Sequence, residues 1–136
     1  MEEFLALSSL LTGLAFLKQL DPLSVESRMA RDYLRLMKEQ FGLGFEALLV
    51  IYRRVAANPN PLAALLKDPD FKVGQPVEIA AKQIVNMWLL SQYGVVAGKL
   101  PDQDAGFYEK GFIWPAIDAH PIGFSHRSYG YWANKP

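Results

Sequence analysis

The residues best suited to chemistry cluster near the C-terminus. His120 and His126 are the chain's two imidazoles, and Asp118 stands two residues before the first. Two imidazoles and a carboxylate form the donor set of some transition-metal sites. Their spacing matches no recurring ligand motif, and Pro115, Pro121 and Gly123 leave their geometry open. Ordinary hydrogen-bonded or exposed histidines are therefore the expectation. Glu109 lies near Trp114, and a carboxyl buried against an indole acquires the raised pKa of a general acid. No second carboxylate, nucleophile or oxyanion donor is placed with it, so an exposed loop carboxylate is expected instead.

The remaining candidates have plainer readings. Ser8, Ser9, Ser24 and Ser27 lie near expected helix ends, where serine usually caps. No G-x-S-x-G, G-x-G-x-x-G or Walker pattern occurs. There is no cysteine, which removes disulfides, thiol nucleophiles and thiolate metal sites together. Arg53-Arg54 closes a helix, where a favourable interaction with the helix dipole suffices to explain the pair. The expectation is a chain with no catalytic, cofactor-binding or metal site of its own.

Aromatic residues carry a stronger signal. The last 30 residues hold eight of the 17 aromatic rings. Glycines and prolines are scattered among them, so the rings cannot all belong to regular helices. Such a segment is costly to leave in water and must cover either its own helices or a partner. Trp and Tyr bury large area with few torsions and keep a polar handle, which suits interface anchors. Trp114, Phe124, His126, Arg127, Tyr129, Tyr131 and Trp132 are the predicted partner-binding residues. Trp88 and Tyr93 lie on or just beyond an apolar stripe and read as core.

Helical spacing dominates the elements that must carry this segment. Phe4, Leu7, Leu10 and Leu11 share one face, and Thr12-Gly13 ends or kinks that helix. Asp21-Pro22 predicts the start of a second helix, with an aspartate cap and proline in the first position. That helix should bury Val25, Met29, Tyr33, Leu36 and Met37, with Arg28, Arg31, Arg35, Lys38 and Glu39 solvated. Gly42 and Gly44 should break it, and a third helix should run through Leu48, Leu49, Ile51, Tyr52 and Val55. Asn58-Pro59-Asn60-Pro61 predicts a loop and then a short capped helix through Leu65 and Leu66. Asp68-Pro69 and Gly74-Gln75-Pro76 predict further breaks, and Pro76 opens what reads as the longest amphipathic stretch, ended by Gly94. No strand pattern of useful length appears. The expected fold is all-α, one small helical domain over residues 1–136, with 99–136 as an extended segment on the bundle or a partner.

Composition narrows the function classes. Fourteen basic and 14 acidic residues cancel, without a basic block to follow a phosphate backbone or an anionic bilayer. Nucleic acid is thus not an expected partner. Phe4 to Leu17 is uncharged and mostly apolar, but it is too short to span a bilayer. Glu2 and Glu3 precede it where a secretory signal would carry basic residues.

Four segments form a recognisable pattern: "FLALSSLLTG" followed by "LDP", "AAKQIVNMWLLSQYGVV", "YEKGFIWPAIDAHPIGF" and "GYWANKP". Taken in order, they resemble the small subunit of membrane-bound FAD-dependent sugar and polyol dehydrogenases, as in sorbitol, fructose and glucose dehydrogenase complexes. The resemblance implies a non-catalytic accessory subunit. Its partner would be a large flavoprotein of the glucose-methanol-choline class, often joined by a multihaem cytochrome c subunit. FAD and haem c would lie in those partners. The family's small subunit acts as a folding and export companion through a twin-arginine signal, which implies a periplasmic location.

This chain departs from the family pattern in three ways. It shows no twin-arginine signal, and a cytoplasmic location follows if none was removed. Ser125 stands where the family often has a cysteine able to cross-link to the large subunit. "SHRSY" replaces the usual glycine-rich run, so His126, Arg127 and Tyr129 make that loop bulkier. The competing expectation is a self-associating helical protein whose aromatic tail packs across a homo-oligomer.

Overall fold

A computed structural model describes residues 1–93, 103–104 and 112. The described chain is all-α apart from one two-residue ladder, in agreement with the expected fold class. Four α-helices occur among these residues: α1 (Glu2–Thr12), α2 (Val25–Val55), α3 (Pro61–Lys67) and α4 (Pro76–Leu90). A 3-10 helix, Ala15–Gln19, follows α1. The chain divides into two compact units, Met1–Val85 and Asn86–Pro136, and α4 contributes residues to both.

In the first unit, α1 ends because Gly13 adopts φ 77°, ψ 5°, and its N–H reaches the Ser9 carbonyl. A residue with a Cβ resists this left-handed cap. Leu17 of the 3-10 helix is fully buried. Helix α1 contacts the 3-10 helix, α2 and α3. Phe4 meets Phe45 of α2 edge-to-face, with ring centroids 5.9 Å apart and planes at 84°, a favourable quadrupole arrangement.

Helix α2 begins three residues after the proline that was expected to start it. Asp21 and Pro22 form a preceding turn, in which the Asp21 carboxylate accepts from Leu23 N–H at 2.9 Å. The cap is Ser24, whose hydroxyl oxygen accepts from Ser27 N–H at 3.1 Å. The Asp21 carbonyl then accepts from the hydroxyls of Ser24 and Ser27 at 2.7 and 2.6 Å. Serine displaces aspartate as the cap because this hydroxyl pair also fixes the turn. Val25 consequently lies at the helix mouth and is 42% exposed, whereas Met29, Tyr33 and Met37 are buried. Leu36 is half-buried, and the five charged residues expected in water are exposed.

The expected break at Gly42 and Gly44 is instead a kink. Phe41 takes φ −129°, ψ 22°, and the helix continues to Val55. Burial of Phe45, Leu48, Leu49, Ile51 and Val55 beyond the kink outweighs the roughly 1 kcal/mol that each glycine costs a helix. Gly44 has a packing reason as well. A Cβ built there would lie 2.3 Å from the Pro76 carbonyl oxygen and 2.7 Å from its carbon. Only glycine allows the start of α4 to approach α2 so closely.

Asn60-Pro61 starts α3 as expected, with the Asn60 side chain accepting from Ala63 N–H at 3.3 Å. Gly74, at φ 76°, turns the chain into α4. The Gln75 carbonyl accepts from Glu78 and Ile79 N–H groups at 3.1 and 3.2 Å. At 31 residues α2 is longer than the 15-residue α4, so among the described residues the longest amphipathic element is α2. Val77, Ala80, Ala81 and Ile84 are buried on the α4 stripe.

In the second unit, Met87 and Trp88 are fully buried, and Trp88 is core as expected. Helix α4 stops at Leu90, before the expected Gly94, because Ser91 takes φ 54° while its N–H bonds the Met87 carbonyl at 2.9 Å. Gln92–Tyr93 then pairs antiparallel with Gln103–Asp104. The Phe112 N–H reaches the Trp88 carbonyl at 3.2 Å, and the two rings lie 6.3 Å apart, tilted by 38°.

Candidate partner-binding surface

The predicted partner anchors Trp114, Phe124, His126, Arg127, Tyr129, Tyr131 and Trp132 lie outside the described residues, as do Glu109, Asp118 and His120. The described residues therefore supply the scaffold and its exposed faces. Among them, no three His, Cys, Asp or Glu side chains group as metal ligands. No helix among them is long and apolar enough to cross a membrane.

The serines separate by position. Ser24 caps α2, and Ser27 supports that cap. Ser8 and Ser9 are buried inside α1 instead of capping it, although the Ser9 carbonyl receives the Gly13 N–H. The Ser8 hydroxyl has no hydrogen-bond partner among the described residues. A buried hydroxyl without a partner costs stability.

Arg53 and Arg54 do more than complement a helix dipole. Arg53 grips the Glu3 carboxylate with two bonds, at 2.5 and 2.8 Å, and ties the end of α2 to the start of α1. This forked hydrogen bonding lowers the Glu3 pKa and raises that of Arg53. Arg54 reaches Asp68 at 2.8 Å and Asp70 at 2.7 Å, fastening the turn after α3. The bond to Asp70 is the main cause of its raised pKa. The Asp68 carboxylate is preorganised for this contact because it also accepts from Asp70 N–H at 2.9 Å.

Several apolar side chains remain in water. Leu43 on α2 is 90% exposed, Val73 before α4 is 86% exposed, and Leu23 before α2 is 94% exposed. Ala47 and the half-exposed Val50 continue the Leu43 face at helical spacing. On the earlier half of α2, Met1, Arg31, Leu34, Arg35, Lys38 and Glu39 line an open groove of about 370 Å³. Arg35 pairs with Asp32 at 3.8 Å and Glu39 at 3.5 Å along the helix.

No protein-family model matches the chain, and neither a curated protein nor a solved structure does.

Proposed function

We propose that this chain is a non-catalytic accessory subunit that binds, folds and helps export or stabilise a large FAD-dependent sugar or polyol dehydrogenase of the glucose-methanol-choline class. The observation that carries the proposal is the ordered set of segments from "FLALSSLLTG" to "GYWANKP". In this reading FAD belongs to the large partner, haem c to a further cytochrome subunit, and the assembly works in the periplasm. The aromatic segment supplies the anchors, and the helical scaffold holds its attachment point.

The physical logic is linkage. A subunit that binds only the native flavoprotein stabilises it by mass action, by about 2.7 kcal/mol at a hundredfold excess over Kd. Such a role needs surface area and shape, without a catalytic constellation. The test is a chain ending at His120, compared with the full chain for capture of a flavoprotein from the source cells. The shortened chain should keep its helical circular dichroism and lose the flavoprotein. Capture with unchanged affinity would place the anchors elsewhere.

A further inference from the structure

The exposed face of the first half of α2 has a charge pattern that the accessory-subunit reading does not use. At 3.6 residues per turn, Arg28, Arg31, Arg35 and Lys38 fall within an arc of roughly 80°. Asp32 and Glu39 flank one edge of this arc and engage Arg35. Leu34 flanks the other edge and lines the groove with Met1. Arg31 and Lys38 are exposed and have no ion pair among the described residues. They stand one turn either side of Leu34, about 10 Å apart along the helix axis.

We propose that this groove docks a helical segment of a partner protein that carries two carboxylates, one turn either side of an apolar side chain. The apolar residue would sit against Leu34 and Met1, while the carboxylates reach Arg31 and Lys38. Charge complementarity selects the occupant: two unpaired cations bracket an apolar floor, and an acidic segment with the matching i, i+3, i+7 pattern satisfies both at once. Arg31 can hold its carboxylate with two parallel bonds, and Lys38 acts as a point charge. The pairs lie at a solvated rim, so they set specificity and association rate more than tight affinity.

The experiment uses the full chain and a fluorescein-labelled, alanine-based helical peptide with the core Glu-Ala-Ala-Leu-Ala-Ala-Ala-Glu, read by anisotropy at low salt. The peptide should bind saturably, and its binding should weaken with added salt. Arg31→Glu/Lys38→Glu should weaken binding at least tenfold, and that variant should prefer a peptide with lysines replacing both glutamates. Both side chains are exposed, and unchanged melting of the variant verifies that the fold is intact. Replacing the peptide leucine by serine should also weaken binding. Absence of binding, or equal binding by a peptide of scrambled order, would overturn the proposal. So would capture by phosphatidylserine vesicles without capture of the peptide. None of these outcomes depends on a flavoprotein.

Discussion

The closest backbone approach at a described glycine gives a prediction of opposite signs at neighbouring positions. At Gly44 an added Cβ would meet the Pro76 carbonyl oxygen at 2.3 Å, whereas ordinary contact begins near 3.4 Å. Alanine there must displace the start of α4 by about 1 Å or bend α2 away. Overpacking of this kind costs roughly 1–3 kcal/mol, and a backbone obstacle belongs at the upper end. Better helix propensity returns about 1 kcal/mol, leaving Gly44→Ala roughly 2 kcal/mol less stable. For a chain of this length that is a fall in Tm of roughly 5–10 °C. At Gly42 nothing lies within 4 Å of the added Cβ. Gly42→Ala should therefore gain about 0.5–1 kcal/mol from reduced unfolded-state freedom and better propensity. Urea unfolding followed by circular dichroism, with m compared among the three proteins, measures both changes. A Gly44→Ala protein as stable as Gly42→Ala would refute the close approach of Pro76 to α2.

Three further substitutions follow from the first unit. Ser8→Ala removes a buried hydroxyl without a partner among the described residues and should stabilise by about 1 kcal/mol, read as a higher Tm. Ser24→Ala deletes the α2 cap and should destabilise by about 1 kcal/mol, whereas Ser24→Asp should retain most of the stability. Glu3→Gln tests the ion pair through pH. The Glu3 pKa is lowered in the folded state, chiefly by its bonds to Arg53, so the contribution is fully present above the unfolded carboxylate pKa. It is lost as pH falls through the lowered value. The parent protein should melt slightly higher than Glu3→Gln at neutral pH, and the gap should close in acid; a gap that widens in acid contradicts the pairing.

Local chemistry made several elements legible in the sequence. Asn60-Pro61 carries both a side-chain acceptor and a preset φ, and α3 begins there. Pro76 opens α4 for the same conformational reason. Thr12-Gly13 ends α1 because the left-handed cap is local to the glycine. The features that differ from expectation depend either on contacts distant in sequence or on a second local cap that outcompetes the first. Gly42 and Gly44 look like a break until Pro76 is seen against Gly44 and apolar residues are seen buried on both sides of Phe41. Asp21-Pro22 resembles a helix start, but the hydroxyls of Ser24 and Ser27 fold back on the Asp21 carbonyl and move the cap. The partners of Arg53 and Arg54 lie 50 and 14–16 residues away, beyond any helical periodicity. The predicted anchors from Trp114 to Trp132 lie outside the described residues; their residue types and their order in the chain are what mark them in the sequence.

The central claim is that this chain accompanies a flavoprotein. Its most direct measurement is purification of the tagged full chain from the source cells, with mass spectrometry and an absorbance spectrum of the eluate. The account predicts a yellow complex with a flavin spectrum and a large flavoprotein in stoichiometric amount. A colourless chain eluting alone, or only with copies of itself, would contradict it.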